Sequence, residues 1–330
     1  MEQVQLNTTK TPMSSNFKNA DLIKGVVLPI SVLVVISIIF SVLNENFLTT
    51  INLMNILRQL SVLMLVALAG TLVIMIGSID LSVGSNVTLS GIVAAYFVTQ
   101  YGALAGVLAG LMVGVCVGLF NGVVFTKLKL PSFIVTLGML SSLSGIANVL
   151  SDGKAVLYNS LTFDYLARGE LIPGIPNIFL WAVVVLAIII FICSKTVFGR
   201  NMYAVGGGEK VAILSGIKVD RLKIGVFMIS GLLCGLAGVL LCSRIGAGTP
   251  RMGDPFLLDS IAAIVIGGTA LSGGIGGAHR TIVGVLLITV LSSGMNITGV
   301  HPFVQEIVKG LVVIAAVATT IDRSKFDLTK

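Results

Sequence analysis

Residues 174–193 read GIPNIFLWAVVVLAIIIFIC, twenty positions without a charge. A helix advances about 1.5 Å per residue and the hydrocarbon layer of a bilayer is about 30 Å thick, so about 20 apolar residues cross it. Val26–Leu43 and Ile282–Ile297 are almost as apolar. The whole chain of 330 residues is 55% hydrophobic and only 11% charged, and its mean hydropathy is +1.05. A soluble domain carries about 25% charged residues. The polar surface that a water-soluble helical core of this size needs is absent, and the chain is read as an all-α polytopic membrane protein.

The formal charge of +7 raises the question of nucleic acid. The basic residues are scattered between apolar runs and build no aromatic-laced basic face, so nucleic acid is not expected. Cys116, Cys193, Cys234 and Cys242 lie in apolar runs with no Cys-x-x-Cys pair and read as small buried hydrophobes. The first 24 residues are polar and Val26–Leu43 is long enough to stay in the bilayer, so no cleavable leader is expected.

Along the chain, spans are expected near 26–43, 57–76, 84–100, 103–125, 133–150, 174–194, 224–243, 258–271, 281–298 and 303–321. Within lipid they must be helices, because every backbone polar group has to be satisfied without water. The pieces around Ser78–Ser85 and Ser272–Gly277 are short and glycine-rich enough to be discontinuous or re-entrant, so nine or eleven spans stay open beside ten. The excess of Lys and Arg on cytoplasmic loops orients the chain. With the N-terminus inside, the inner segments collect 15 basic residues: Lys10, Lys18, Lys24, Lys127, Lys129, Lys195, Arg200, Lys210, Lys218, Arg221, Lys223, Arg280, Arg323, Lys325 and Lys330. Outside fall 5, Arg58, Lys154, Arg168, Arg244 and Arg251, while Lys309 lies within a span. The expected organisation is a cytoplasmic segment 1–25, a transmembrane domain 26–321 and a cytoplasmic tail 322–330, with both termini inside. The two longer loops are 151–173 outside and 195–223 inside.

Gly106, Gly110, Gly114, Gly118 and Gly122 recur every four residues. At 3.6 residues per turn they form one slowly drifting stripe suited to close helix packing. Asp80 lies in Gly77-Ser-Ile-Asp-Leu-Ser-Val-Gly84 between apolar runs. A carboxylate deep in a bilayer costs at least about 2.5–3.5 kcal/mol and faces protein or water, so it either lines a cavity or caps the helix that follows. Ile266-Gly-Gly-Thr-Ala-Leu-Ser-Gly-Gly-Ile-Gly-Gly277 implies sharp turns or close backbone contact. No Gly-x-x-x-x-Gly-Lys-Ser/Thr occurs, which removes that route to ATP. Glu306 and Lys309 are spaced to pair on one helical face. His279 and His301 make no metal-ligand pattern, and no metal or catalytic residue is assigned.

These motifs, met in order, carry a resemblance. They are Phe47-Leu-Thr-Thr-Ile-Asn-Leu-Met-Asn-Ile-Leu57, Ile79-Asp-Leu-Ser-Val-Gly84, Phe198-Gly-Arg-Asn-Met-Tyr-Ala-Val-Gly-Gly207, Leu214-Ser-Gly-Ile217 and Leu258-Asp-Ser-Ile-Ala-Ala-Ile-Val-Ile-Gly-Gly-Thr-Ala-Leu-Ser-Gly-Gly274. From about Asn46 to Ile321 the chain resembles the ribose-type permeases of bacterial ABC importers. The resemblance implies a multi-pass subunit of the bacterial inner (cytoplasmic) membrane that translocates a monosaccharide, a ribose-like pentose or a hexose, and is not itself an enzyme. It implies cytoplasmic ATPase subunits that bind ATP and Mg, no cofactor held by this chain, a periplasmic or lipid-anchored sugar-binding protein, and a second permease chain, identical or related.

On that resemblance Gly206, Gly207, Gly208, Glu209, Leu214, Ser215 and Gly216 couple to the ATPase, and loop 151–173 is a landing surface for the binding protein. Asp80, Ser82, Ser85, Thr269 and Ser272 are the polar candidates for lining or gating the path. The chain departs from the family at Ser78, at Gly208 and at Arg280, where Gly, Asn and Gly are usual, and the last puts the geometry of that inner turn in question. An ion-coupled secondary carrier is the alternative and predicts acid–base pairs deep within spans.

Overall fold

The computed structural model describes residues 28–320. The expected segment 1–25, the tail 322–330 and the basic residues Lys10, Lys18, Lys24, Arg323, Lys325 and Lys330 lie outside the described residues, as do the outermost positions of the first and last expected spans. The chain runs α1 (Leu28–Leu43), a 3-10 turn (Glu45–Leu48), α2 (Thr50–Met75), α3 (Val83–Tyr101), α4 (Ala103–Lys127), α5 (Ser132–Ser151), β1 (Val156–Leu157) and α6 (Leu161–Arg168). It continues with α7 (Asn177–Lys195), α8 (Val197–Gly207), α9 (Glu209–Leu214), α10 (Val219–Ile245), β2 (Ala247–Gly248), α11 (Pro255–Ile266), α12 (Ala278–Ile297) and α13 (Pro302–Thr320).

A helix stands at each of the ten expected places. Six of them, α2, α4, α5, α7, α10 and α12, are long and apolar enough to cross a membrane. The expected span 258–271 is corrected. Its helix, α11, has 12 residues and stops at Ile266, because Gly268 turns the chain with a φ of +80°. At about 1.5 Å per residue α11 is about 18 Å long, roughly half a crossing.

The chain reaches the start of α11 by descending through protein. Gly248 packs on Ile92 and Gly253 on Gly84, and the Gly253 amide donates to the buried Thr88 hydroxyl at 2.9 Å. From Ile92 to Gly84 is about 12 Å along α3. The segment is tolerated where Gly248 and Gly253 are buried against α3, because protein and not lipid meets its backbone there.

Helix α2 is the centre of the bundle: Leu60–Ala69 and Thr71–Met75 are buried. It begins at Thr50, seven residues before the expected span, because Thr49 caps it by accepting from the Asn52 amide. Asn52 turns inward, where its Nδ2 donates to Phe47 O at 2.8 Å and its Oδ1 accepts from Ser293 Oγ at 3.0 Å. The Phe47–Leu57 motif thereby pins the start of α2 to α12.

The glycine stripe of α4 lies against α10 and α3. A Cβ at Gly114 would stand 2.7 Å from Gly235 Cα, one at Gly118 2.9 Å from Phe227 C, and one at Gly106 2.8 Å from Ala94 O. Backbone therefore touches backbone along the α4–α10 crossing, the most extensive helix contact of the fold. The outer faces of α4, α5 and α7 present exposed apolar side chains such as Met112, Leu137 and Phe191, suited to lipid or to another membrane chain.

Candidate functional site

Three irregular segments converge at one end of the bundle. The first is the end of α8, whose Gly206 packs directly on Met75 O and on the Gly274 amide. The second is the glycine loop 267–277, whose Gly274 amide donates to Met75 O at 3.0 Å. The third is the turn after α2, where a Cβ on Gly273 would lie 2.6 Å from the Gly77 amide. Gly77, Gly273 and Gly274 all have positive φ, so glycine is needed there for conformation as well as for room.

Tyr203, one turn before Gly206, donates its hydroxyl to Gly276 O at 2.9 Å. Burial pushes this phenol above its ordinary range, so it stays a donor. Within the loop, the Thr269 hydroxyl is fully buried and accepts from the Gly277 amide at 3.2 Å. Ser272 is exposed, with its carbonyl beside Gly77. The loop is thus held shut internally by Thr269 and clamped to α8 by Tyr203.

Beyond this junction α8 and α9 project as a short helical hairpin. Thr196 caps α8 by accepting from the Gly199 amide at 3.1 Å. The Leu214-Ser-Gly-Ile motif ends α9: the Gly216 amide donates to Ile213 O at 2.9 Å and the Ile217 amide to Ala212 O at 3.1 Å. This paired pattern requires a left-handed residue at Gly216, whose φ is +80°. Leu214 is 88% exposed and Val211 67%, and both stand among Lys210, Lys218 and Arg221. Phe198, Asn201, Gly216 and Arg221 help line an adjacent groove of about 450 Å³. An exposed apolar tip with a basic rim is the make-up of a protein-docking surface.

The hairpin is tied back to α10. Lys223, 8% exposed, pairs with Glu209 at 2.8 Å and lies 4.8 Å from the centre of the Phe125 ring. By sequence Lys223 is one of several inner basic residues, and nothing local marks its burial beside an aromatic face.

Asp80 folds back on its own turn. Its Oδ1 accepts from the Ser82 amide at 2.9 Å and from the Ser82 hydroxyl at 2.6 Å. Asn121 Nδ2 in turn donates to Ser82 Oγ at 2.9 Å, and Ser85 Oγ donates to Ser82 O at 3.0 Å. The segment is also fixed by α5, whose Ser132 and Thr136 hydroxyls accept from the Ile79 and Leu81 amides at 3.1 Å each. Asp80, Ser82 and Ser85 therefore form one network between α3, α4 and α5, in which Asp80 shapes the turn before α3. Gly77 links this network to the Thr269–Ser272 loop.

The three departures from the usual motifs fit locally. Ser78 and Arg280 need no positive φ. Gly208 is extended, with a φ of 172°, and a Cβ there would meet nothing nearer than 3.8 Å. Lys309 does not pair with Glu306. It reaches across to Asp259 of α11 at 2.7 Å, with both side chains less than a fifth exposed.

Comparison with known proteins gives concordant matches. A family model described as "Branched-chain amino acid transport system / permease component" matches residues 52–317. The ribose import permease protein RbsC of Bacillus subtilis is 42% identical over 296 residues, covering 89% of this chain and 91% of that protein. RbsC of Escherichia coli K12 is 40% identical over 294 residues, 87% and 91% of the two chains. The L-arabinose transport system permease protein AraH of the same organism is 37% identical over 289 residues, 86% and 88%. No solved structure matches.

Proposed function

The chain belongs to this family of transport-system permease components, and from that membership we propose that it is the membrane-spanning subunit of an ATP-driven importer for a monosaccharide of the ribose type. The substrate class is taken from the names of its relatives, a ribose import permease and an L-arabinose transport system permease. The observation that carries the mechanical reading is the junction at Gly206. There a projecting hairpin with an exposed apolar tip is rooted, backbone on backbone, against the central helix and the glycine loop.

In this reading the α8–α9 end is cytoplasmic, both termini are inside, and the unit of function is residues 26–321. A separate ATPase binds ATP and Mg and docks on Val211, Leu214 and the groove beside Gly216. Movement of the hairpin passes through Gly206 to Met75 and Gly274. A shift at that point moves α2 and the loop together, because a close-packed backbone contact has no slack. The Gly77–Ser85 network, contacting the same loop at Gly273, changes with it and gates the path between this chain and a second permease chain. A sugar-binding protein delivers the substrate at the opposite end.

The test is reconstitution of this chain in proteoliposomes with the ATPase and sugar-binding protein encoded beside it. Uptake of labelled ribose or another pentose that requires internal or external ATP on the ATPase side supports the reading. Uptake that proceeds without ATPase, driven by a proton or sodium gradient, overturns it.

A further inference from the structure

At the end of the bundle opposite the α8–α9 hairpin, Arg58 of α2, Arg168 of α6 and Arg244 of α10 line one cavity of about 300 Å³ together with Asn55 and Ala167. Two of the guanidiniums are held by backbone carbonyls. Arg244 Nη1 donates to Arg58 O at 3.3 Å, and Arg168 Nε donates to Arg244 O at 3.1 Å. Among the described residues one carboxylate pairs with them. Asp164 lies 3.5 Å from Arg168 and already accepts from the Tyr158 hydroxyl at 2.6 Å. Among the described residues neither Arg58 nor Arg244 has an ion-pair partner, although both are half-buried. Like charges sharing a partly desolvated cavity repel, and a planar guanidinium fork is complementary to a carboxylate.

We propose that this cavity is the seat of an acidic side chain, Asp or Glu, presented by the extracytoplasmic binding protein. The inference rests on the importer reading above, which places that protein at this end. The binding protein is favoured over a lipid headgroup because α6, within the outer loop 151–173, walls the cavity through its buried Ala167.

The placement of the arginines gives the seat a second consequence. Arg58 and Arg244 stand on α2 and α10, and the other ends of these two helices hold the hairpin, through Met75 and through Lys223. The separations along the helices are about 26 Å and about 32 Å at 1.5 Å per residue. A carboxylate bridging the two guanidiniums draws together the far ends of the two helices that anchor the ATPase-docking hairpin.

The experiment uses the full-length chain assembled with its ATPase in lipid nanodiscs, and reads the Kd of the co-encoded sugar-binding protein at low and at physiological salt. Among the described residues the Arg58 guanidinium has no hydrogen bond or ion pair, so Arg58→Gln is the first variant. The expected result is a Kd raised by about tenfold or more with a flatter salt dependence, since the lost contact is charged and partly desolvated. Arg58→Lys falls between. Asn55→Asp, which places a carboxylate inside the cavity, is expected to weaken binding as well, and it answers the question if Arg58→Gln does not assemble. A Kd within twofold of wild type for both Arg58→Gln and Asn55→Asp overturns the proposal. So does an effect seen in phosphatidylglycerol nanodiscs but absent in phosphatidylcholine, which assigns the anion to lipid. If the wild-type complex itself binds no sugar-binding protein, the importer reading fails and the seat fails with it.

Discussion

Gly206 and Gly207 are neighbours in the chain and opposites in their surroundings, so substituting each in turn isolates the junction. A Cβ at Gly206 would overlap Met75 O and the Gly274 amide, whereas at Gly207 it would meet nothing within 4 Å. Restoring an ordinary C···O separation of about 3.3–3.6 Å at Gly206 requires α8 to retreat by more than about 1 Å. Overpacking of that kind costs about 1–3 kcal/mol. Weakening the Gly274–Met75 hydrogen bond adds about 0.5–1.5 kcal/mol. Gly206→Ala is thus expected to cost roughly 2–4 kcal/mol at the contact through which the hairpin moves. Gly207→Ala, at the exposed end of α8, is expected to be neutral or to stabilise by up to about 1 kcal/mol. ATP-dependent uptake in proteoliposomes, normalised to permease incorporated, should fall at least about tenfold for the first, a factor equal to about 1.4 kcal/mol. It should be unchanged for the second. Equal uptake by the two variants would refute the reasoning, because it would mean that the backbone contact transmits nothing.

Gly118→Ala puts a methyl 2.9 Å from Phe227 C and should lower the thermal stability of the detergent-purified chain by the equivalent of about 1–3 kcal/mol; Gly138→Ala, inside α5 and facing open space, should leave the melting temperature unchanged or raise it. Glu209→Gln leaves the buried Lys223 ammonium without its ion pair and is expected to reduce co-purification of the ATPase with at most about 1 kcal/mol of lost stability, the acid being half exposed. Asp80→Asn keeps an Oδ1 acceptor for the Ser82 amide, so the protein should accumulate normally while import falls; unchanged import at normal protein level removes Asp80 from the transport path. An accessibility tag at residue 210 should be shielded in intact cells and one at residue 160 reactive, and the reverse pattern would invert the orientation.

Helix positions are legible because apolar length is written locally, although among the described residues only six of the ten helices at the expected places are long and apolar enough to cross a membrane, and the stripe Gly106–Gly122 is visible by its spacing alone. The ends were harder. Thr50–Asn55 looks too polar for a bilayer, yet Thr49 caps α2 there and Asn52 finds Ser293, 241 residues away, a partner that no local window contains. The apolar run continuing through Gly267 looked like one helix; the positive φ at Gly268 breaks it. Lys309 was matched to Glu306 by helical spacing, but a long side chain next to another helix chooses the nearest carboxylate in space, and that is Asp259. The two glycine segments were recognised separately as unusual. That Gly77 and Gly273 press on one another, and that Gly206 closes the third side, is tertiary information which neither segment encodes by itself. Three arginines from distant helices meeting in one cavity left no local mark either.

The half-length helix α11 has a consequence for how the chain is made. A segment of 12 residues is too short for the insertion machinery to recognise as a span when it leaves the ribosome, and the strand leading to it has polar backbone that lipid cannot satisfy. The strand needs α3, with Thr88 already in place to receive the Gly253 amide, and α11 needs α2 and the later helices α12 and α13, on which it mainly packs. Biogenesis is therefore ordered: the strand settles on α3 while α11 waits for α12 and α13 to close over it, and defects along α3 should surface as late assembly failures and not as failures of insertion.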